Sequence, residues 1–350
     1  MSALASSFSA APSPALRAPS PRGEGVRLLL VRPEREPLVT PFAEFADQLA
    51  RGDVLVLNDA ATFPASLWAT TARGEAVEAR LFDGDGTHWR AVLFGRGDWR
   101  TRTEDRPAPP RVAAGERLRF GELTARVAGV SELSPRLIDL DFDADAPTAW
   151  RHIFEAGRPV QYAYRPEAEP LWAFQNAYAA RPWAAEQPSA GRPLTMELLL
   201  GARRRGVELR LLTHATGLSS TGDATLDAAL PLPERYEIPA ATAAAVNEAV
   251  HDGRRVVAVG TSVMRALESS VLRDGVVRAG QGSAELIIDE RHEPKVVSGL
   301  LSGIHVPGES HWRLLRSLAS QQALETAYAA AKRERLEAHE RGDAALLWAH

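Results

Sequence analysis

The sequence predicts an α/β domain carrying an inserted small all-β, barrel-like domain, and three observations predict it. Short apolar runs at 26–31, 54–57 and 256–259 have the length and β-branched content of buried strands, and helical patterns accompany them. Between 65 and 145 this texture gives way to short strand-like pieces separated by Gly/Asp/Arg turns, with no amphipathic helix of useful length. The α/β texture then resumes near 148, so the β unit interrupts the first domain rather than following it. The expected division is a leader at 1–24, an α/β domain formed by 25–64 and 146–350, and an inserted barrel at 65–145.

Taken in order, residues 1–24 are rich in Ala, Ser and Pro, lack the apolar core of a secretion signal, and read as disordered. The strand at 26–31 is ended by Pro33, and 41–50 places Phe42, Phe45 and Leu49 at helical spacing. Arg51-Gly52-Asp53 turns the chain into the strand at 54–57, which runs into Asn58-Asp59. The insertion offers strands at 76–82, 89–94, 117–120, 123–130 and 136–142. A short helix at 148–156 precedes an irregular stretch, 157–193, and loops that long inside compact domains are often functional. There follow a helix at 194–205, a strand at 207–212, a polar loop at 213–233 and a helix at 240–252. Beyond the strand at 256–259 and its helix come strands near 284–289 and 295–298, and a single long helix at 309–340.

The totals narrow the function. At 350 residues the chain has room for two domains, and 45% hydrophobic with 25% charged residues is the balance of a soluble globular protein. A net charge of −4 advertises no global field for nucleic acid, although a local patch would suffice. The absence of cysteine excludes disulfides, thiolate metal ligands and cysteine nucleophiles. No apolar run approaches the ~18 residues of a membrane span, so a cytoplasmic protein is expected.

The stretch 254–270 is the natural centre of a site. An apolar strand is broken by Gly260, and Thr261 and Ser262 offer N-cap oxygens to a helix in which Val263, Ala266 and Leu267 share a face. Backbone N–H groups at such a helix start, beside the carboxyl end of a sheet, favour anionic or sugar-bearing ligands. Arg265 and Glu268 lie three apart and can share a face there. With neither GxGxxG nor GxxxxGK[ST] present, an ordinary α/β turn fits this local pattern equally well.

The remaining segments decide. Leu57-Asn58-Asp59 with Pro64-Ala65, Pro188-Ser189-Ala190-Gly191, Glu234-Arg235-Tyr236-Glu237, Gly260-Thr261-Ser262-Val263-Met264-Arg265-Ala266-Leu267-Glu268, Lys295-Val296-Val297, His305-Val306-Pro307 and Gly342-Asp343-Ala344 occur in a shared order and spacing. In these the chain, over 26–348, resembles the S-adenosylmethionine:tRNA ribosyltransferase-isomerase family of queuosine biosynthesis. The resemblance implies an α/β domain with an inserted β-barrel. It also implies transfer of the ribosyl part of S-adenosylmethionine to a 7-aminomethyl-7-deazaguanine base in tRNA, giving an epoxycyclopentanediol and releasing adenine and methionine. S-adenosylmethionine is then a co-substrate, tRNA the partner, and no metal or redox cofactor takes part; a monomer without membrane attachment is expected.

That chemistry needs a general base for a C–H bond acidified by the sulfonium, a proton or hydrogen bond for departing adenine, and cationic or N–H partners for carboxylate and phosphate. The resemblance places these roles on His214, Arg265, Glu234 and His305 as catalytic residues. Asn58, Asp59, Ser189, Gly191, Gly260, Thr261, Ser262, Tyr236 and Glu268 become substrate-binding. Arg96, Arg100, Arg102 and Arg106 with Trp89 and Trp99, and Arg203-Arg204-Arg205, are RNA contacts or simply solvated charge. The chain also departs from the family pattern. Pro193 and Leu232 stand at histidine positions, and Asn58-Asp59-Ala60-Ala61 lacks an arginine. This describes a divergent member, with a small deazapurine or nucleoside acceptor, or a non-catalytic binding role, as the alternatives.

Overall fold

The computed structural model describes residues 25–164, 167–271, 274–308, 310–338 and 342–349; the leader read at 1–24 lies outside them. The chain enters as β1 (Arg27–Val31), turns back as β2 (Leu38–Pro41) and runs through the middle of a large sheet as β3 (Val54–Asn58). All five residues of β3 are buried, as in a strand covered on both faces. Phe42–Gln48 is a 3₁₀ helix rather than the α-helix expected at 41–50. Pro41 precedes it without a capping side chain, and Phe42 and Phe45 stack at 5.5 Å, the near-eclipsed i, i+3 relation of the tighter helix.

After β4 (Ala60–Thr62), six strands close a barrel: β5 (Ser66–Thr71), β6 (Ala76–Gly84), β7 (His88–Phe94), β8 (Arg117–Phe120), β9 (Leu123–Val130) and β10 (Leu137–Phe142). Their circular order is β10-β7-β6-β5-β8-β9. β5 is the strand that the sequence conceals, because its alternation is weak and Trp68 on its outer face is 43% exposed. α1 (Ala146–Ala156), capped by the Asp145 carboxylate on the Thr148 N–H, brings the chain back. Ser66 and Arg158 exchange two backbone hydrogen bonds of 2.9 Å, so the insertion leaves where it enters.

β11 (Arg181–Ala184) pairs with β4, and α2 (Met196–Arg204) feeds β12 (Glu208–His214). α3 (Ala224–Ala229), β13 (Glu234–Ile238) and α4 (Ala240–His251) follow. Then come β14 (Val256–Val259), α5 (Thr261–Ser270), β15 (Gly280–Ala284) and β16 (Gly299–Gly303), and the chain finishes with α6 (Ser310–Leu315), α7 (Gln321–Arg333) and β17 (Ala344–Trp348). The nine-stranded sheet has the order β15-β13-β12-β3-β14-β16-β17-β1-β2, and its centre, β12-β3-β14-β16, is parallel.

Three expected elements are displaced. The apolar run at 284–289 is not a strand, since Ile287 is 61% exposed; the strand is Gly280–Ala284, which has no apolar signal and is held by pairing with β13. The strand placed at 295–298 begins instead at Gly299, because the Lys295, Val296 and Val297 amides donate to the Glu268 carboxylate. The single helix expected at 309–340 is two helices, restarted where the Ser320 side chain caps the Ala323 N–H.

Candidate active site

The carboxyl ends of β3, β12 and β14 converge where the barrel joins the sheet, the crevice in which open α/β sheets hold ligands. Asn58 organises it. Its amide nitrogen donates to the His214 carbonyl at 2.9 Å and the Ser262 hydroxyl at 3.4 Å, and its oxygen accepts from the His214 and Ala60 N–H groups at 2.9 and 3.1 Å. An amide side chain has two donors and two lone pairs, so Asn58 has nothing left for a ligand. It is a clamp between β3, β12 and α5.

Ser262 is therefore an acceptor for Asn58 and not a helix cap. Gly260 takes the cap position at φ +94°, a backbone state open to glycine, and makes no side-chain cap. The 3₁₀ turn Ser189–Gly191 packs over it: a Cβ on Gly260 would meet the Ala190 methyl at 3.4 Å. Gly191 in turn lies under Tyr178, whose hydroxyl would stand 1.9 Å from an added Cβ. Ser189, Gly191, Gly260, Thr261 and Ser262 are thus gathered at one helix start.

α5 is buried from Ser262 to Glu268, so its two charged side chains must find partners inside the protein. They do not pair with each other. The Glu268 carboxylate is fully buried and accepts from the Val296 and Val297 N–H groups at 3.0 Å on one oxygen. The other oxygen faces the Lys295 N–H at 3.0 Å and His292 Nε2 at 3.1 Å. Glu268 anchors the segment 295–297 to α5. Arg265 points the other way: Nη1 donates to Glu234 Oε2, and Nη2 to the Ala284 carbonyl at 2.6 Å and the Leu232 carbonyl at 3.5 Å.

Glu234 also accepts from the Gly217 N–H at 2.6 Å, and burial pushes its carboxyl above the ordinary range although Arg265 opposes the shift. It lines a small, largely enclosed pocket with Phe82 and Val92 of the barrel and with Gly217, Leu218 and Leu232, side chains that also belong to or pack against the barrel core. Beneath it lies His214, Nε2 3.7 Å from Glu234 Oε2. The sequence placed His214 in a loop; it is the last residue of β12, fully buried, and among the described residues neither ring nitrogen has a hydrogen-bond partner. Burial first, and then the nearby Arg265, drive its pKa well below the ordinary value, so the imidazole is neutral. A neutral histidine, a carboxyl of raised proton affinity and a guanidinium in contact are the ingredients of acid–base chemistry.

The other predicted residues scatter. Tyr236 is buried in the hydrophobic core against Gly282. Asp59, half-buried, accepts from the Thr213 hydroxyl at 2.6 Å, and burial raises its pKa. Arg181, which the sequence did not single out, reaches Thr213 at 3.3 Å and Glu237 at 3.0 Å. His305 faces the Ser302 hydroxyl at 2.9 Å and stacks on His311 at 4.7 Å. It follows β16, which is three strands from β12 in the sheet order. Arg106 is no surface contact, since its buried side chain pairs with Glu78. Glu186 was also missed; only its place directly before the Gln187-Pro188-Ser189 segment hinted at it.

Fold and site define a class: an α/β protein with an inserted barrel and a buried acid–base group at the carboxyl edge of its parallel strands. The chain belongs to the queuosine biosynthesis protein family, which it matches over residues 7–347. It is 35% identical to the S-adenosylmethionine:tRNA ribosyltransferase-isomerase of Thermus thermophilus, covering 85% of each chain. It is 32% identical to the enzyme of the same name from Parvibaculum lavamentivorans, covering 95% of each. A crystal structure of an S-adenosylmethionine tRNA ribosyltransferase from Thermotoga maritima is 24% identical with a TM-score of 0.49, covering 93% of both chains.

Proposed function

We propose that this protein transfers the ribosyl moiety of S-adenosylmethionine to a 7-aminomethyl-7-deazaguanine base in tRNA, forming epoxyqueuosine and releasing adenine and methionine. Family membership across nearly the whole chain carries this reading. Within it, Glu234 is the base: it faces the pocket, and its raised proton affinity suits removal of a proton from carbon next to a sulfonium. Arg265 holds Glu234 in place, and the neutral His214 lies beneath it. The gathered turn at Ser189–Gly191 and the N-terminus of α5, with Gly260, Thr261 and Ser262, receives the sugar or the carboxylate of the co-substrate. The same reading takes 65–145 as the inserted unit of a monomeric, cytoplasmic enzyme. Among the described residues no helix is long and apolar enough to cross a membrane.

A second acceptor is favoured by two observations. Leu232, at a family histidine position, gives the pocket an apolar wall beside Glu234. Of the arginines expected to meet RNA, Arg106 is buried against Glu78, and Arg100, Arg102 and Arg205 are held in exposed ion pairs with Asp98, Glu104 and Asp47. One experiment separates the readings: purified protein is incubated with S-adenosylmethionine and either tRNA bearing the aminomethyl-deazaguanine or the free base and nucleoside, and adenine is measured. Release with tRNA alone supports the first reading, and release with the small acceptor the second. Binding without release from any acceptor leaves a non-catalytic binding protein.

A further inference from the structure

The outer wall of the pocket is the loop Thr216-Gly217-Leu218-Ser219, and two carboxylates hold it. The Gly217 N–H donates to Glu234 Oε1 at 2.6 Å and the Ser219 N–H to Glu186 Oε1 at 2.9 Å. The Thr216 hydroxyl donates to the Glu186 carbonyl at 2.5 Å, and the Ala185 N–H donates back to the Thr216 carbonyl at 2.9 Å. Tyr162 completes the grip: its hydroxyl donates to Glu186 Oε1 and accepts from the Ser219 hydroxyl at 3.2 Å. Each carboxylate is backed by a guanidinium from a different part of the fold, Glu234 by Arg265 of α5 and Glu186 by Arg80 of β6. Arg80 lies 5.4 Å from the centre of the Tyr162 ring and bonds Glu78 at 2.8 Å, and Glu78 also holds Arg106.

We propose that Glu186 is a positioning residue: with Tyr162 it fixes the loop 216–219, which its carboxylate and that of Glu234 grip at Ser219 and Gly217, so that Gly217 holds Glu234 toward the pocket. This rests on the reading of Glu234 as the base. Gly217 suits the role, since a Cβ there would meet Glu234 Oε1 at 3.1 Å. The charged and titratable groups around Glu234 are Arg265 from α5, His214 from β12 and Glu186 across the loop. Those around Glu186 are Tyr162, Arg80 and Glu234, with Glu78 and Arg106 behind Arg80.

The test uses the full chain with Glu186→Ala, Glu186→Gln and Tyr162→Phe, read by amide hydrogen exchange at Gly217 and Ser219 and by the pH profile of adenine release. In E186A both amides exchange about tenfold faster or more, while β12 is unchanged, because the loop opens locally. Its kcat falls about tenfold with a KM for S-adenosylmethionine close to that of wild type, since placement of the base is lost and binding is not. In E186Q the amide oxygen still accepts from Ser219, so exchange stays near wild type. Removing the like charge moves the acidic limb of the profile down by about half a pH unit, a change that a purely mechanical role does not produce. Unchanged exchange at both amides in E186A, or in Y162F should E186A not fold, overturns the proposal; so does an E186Q profile superimposable on wild type. If wild type releases no adenine, the functional reading has failed, and the exchange arm alone decides whether Glu186 holds the loop.

Discussion

Replacing Arg265 by methionine keeps most of the apolar stem and removes the charge opposite Glu234. The guanidinium is 5% exposed and the carboxylate 14%, so water does little to screen either. Removing one partner of such a buried pair costs about 3–5 kcal/mol. The Ala284 and Leu232 carbonyls lose donors as well, while Glu234 recovers part of the loss by taking up a proton. About 3 kcal/mol of stability should therefore disappear near neutral pH, measured by urea unfolding. The pH dependence has a defined sign. Burial raises the Glu234 carboxyl even with Arg265 present, so without Arg265 the folded state holds a proton that the unfolded state gives up. The penalty on R265M is therefore smallest in acid, and it grows as pH rises from the already raised folded value of the wild-type carboxyl toward the higher one of the variant. Adding Glu234→Gln should restore about 2 kcal/mol, because no buried charge is left unmatched. A single-variant loss below about 1 kcal/mol, or a double variant equal to the sum of the singles, would refute the view that this pair is buried and coupled.

Glu268→Gln should cost about 2–3 kcal/mol, since its NH₂ would face the Lys295 N–H and His292 where an oxygen now accepts; an unfolding midpoint equal to wild type contradicts the anchoring role. His214 takes up a proton only on unfolding, so below its ordinary value of 6.5 stability falls by up to about 1.4 kcal/mol per pH unit. His214→Gln should flatten that slope, and parallel wild-type and variant curves from pH 7 to 5 count against it. Gly191→Ala drives a methyl into the Tyr178 hydroxyl and should lose about 1–3 kcal/mol; a variant as stable as wild type shows that the turn is free to move.

What the sequence discloses follows from where each signal resides. Apolar runs such as β3 and β14 are self-evident because burial on both faces demands them, and the barrel shows in its turns. β15 has no side-chain signal, since Gly280–Ala284 is held by the hydrogen bonds of its neighbour. The helix at α5 was legible, but the destination of its charges was not. Spacing alone offered Arg265 to Glu268, whereas the fold sends one to Glu234 and the other to three backbone amides. His214 and Asn58 carried the right segments with different duties, one hidden beneath the pocket and the other spent on the backbone. Glu186 needs two distant loops side by side before it has any meaning.

The crossing at Ser66 and Arg158 also bears on how the chain folds. Asn58 and His214, paired at the heart of the sheet, lie 156 residues apart, a separation that makes their meeting slow and entropically costly for an open chain. The barrel strands mostly pair with near neighbours in sequence, and once formed they hold their two ends together. For β3 and β12 the insertion then behaves as a short loop, and each halving of effective loop length returns about 0.6 kcal/mol of closure entropy. A module inserted between β3 and β12 thereby shortens the search for the sheet's central pairing.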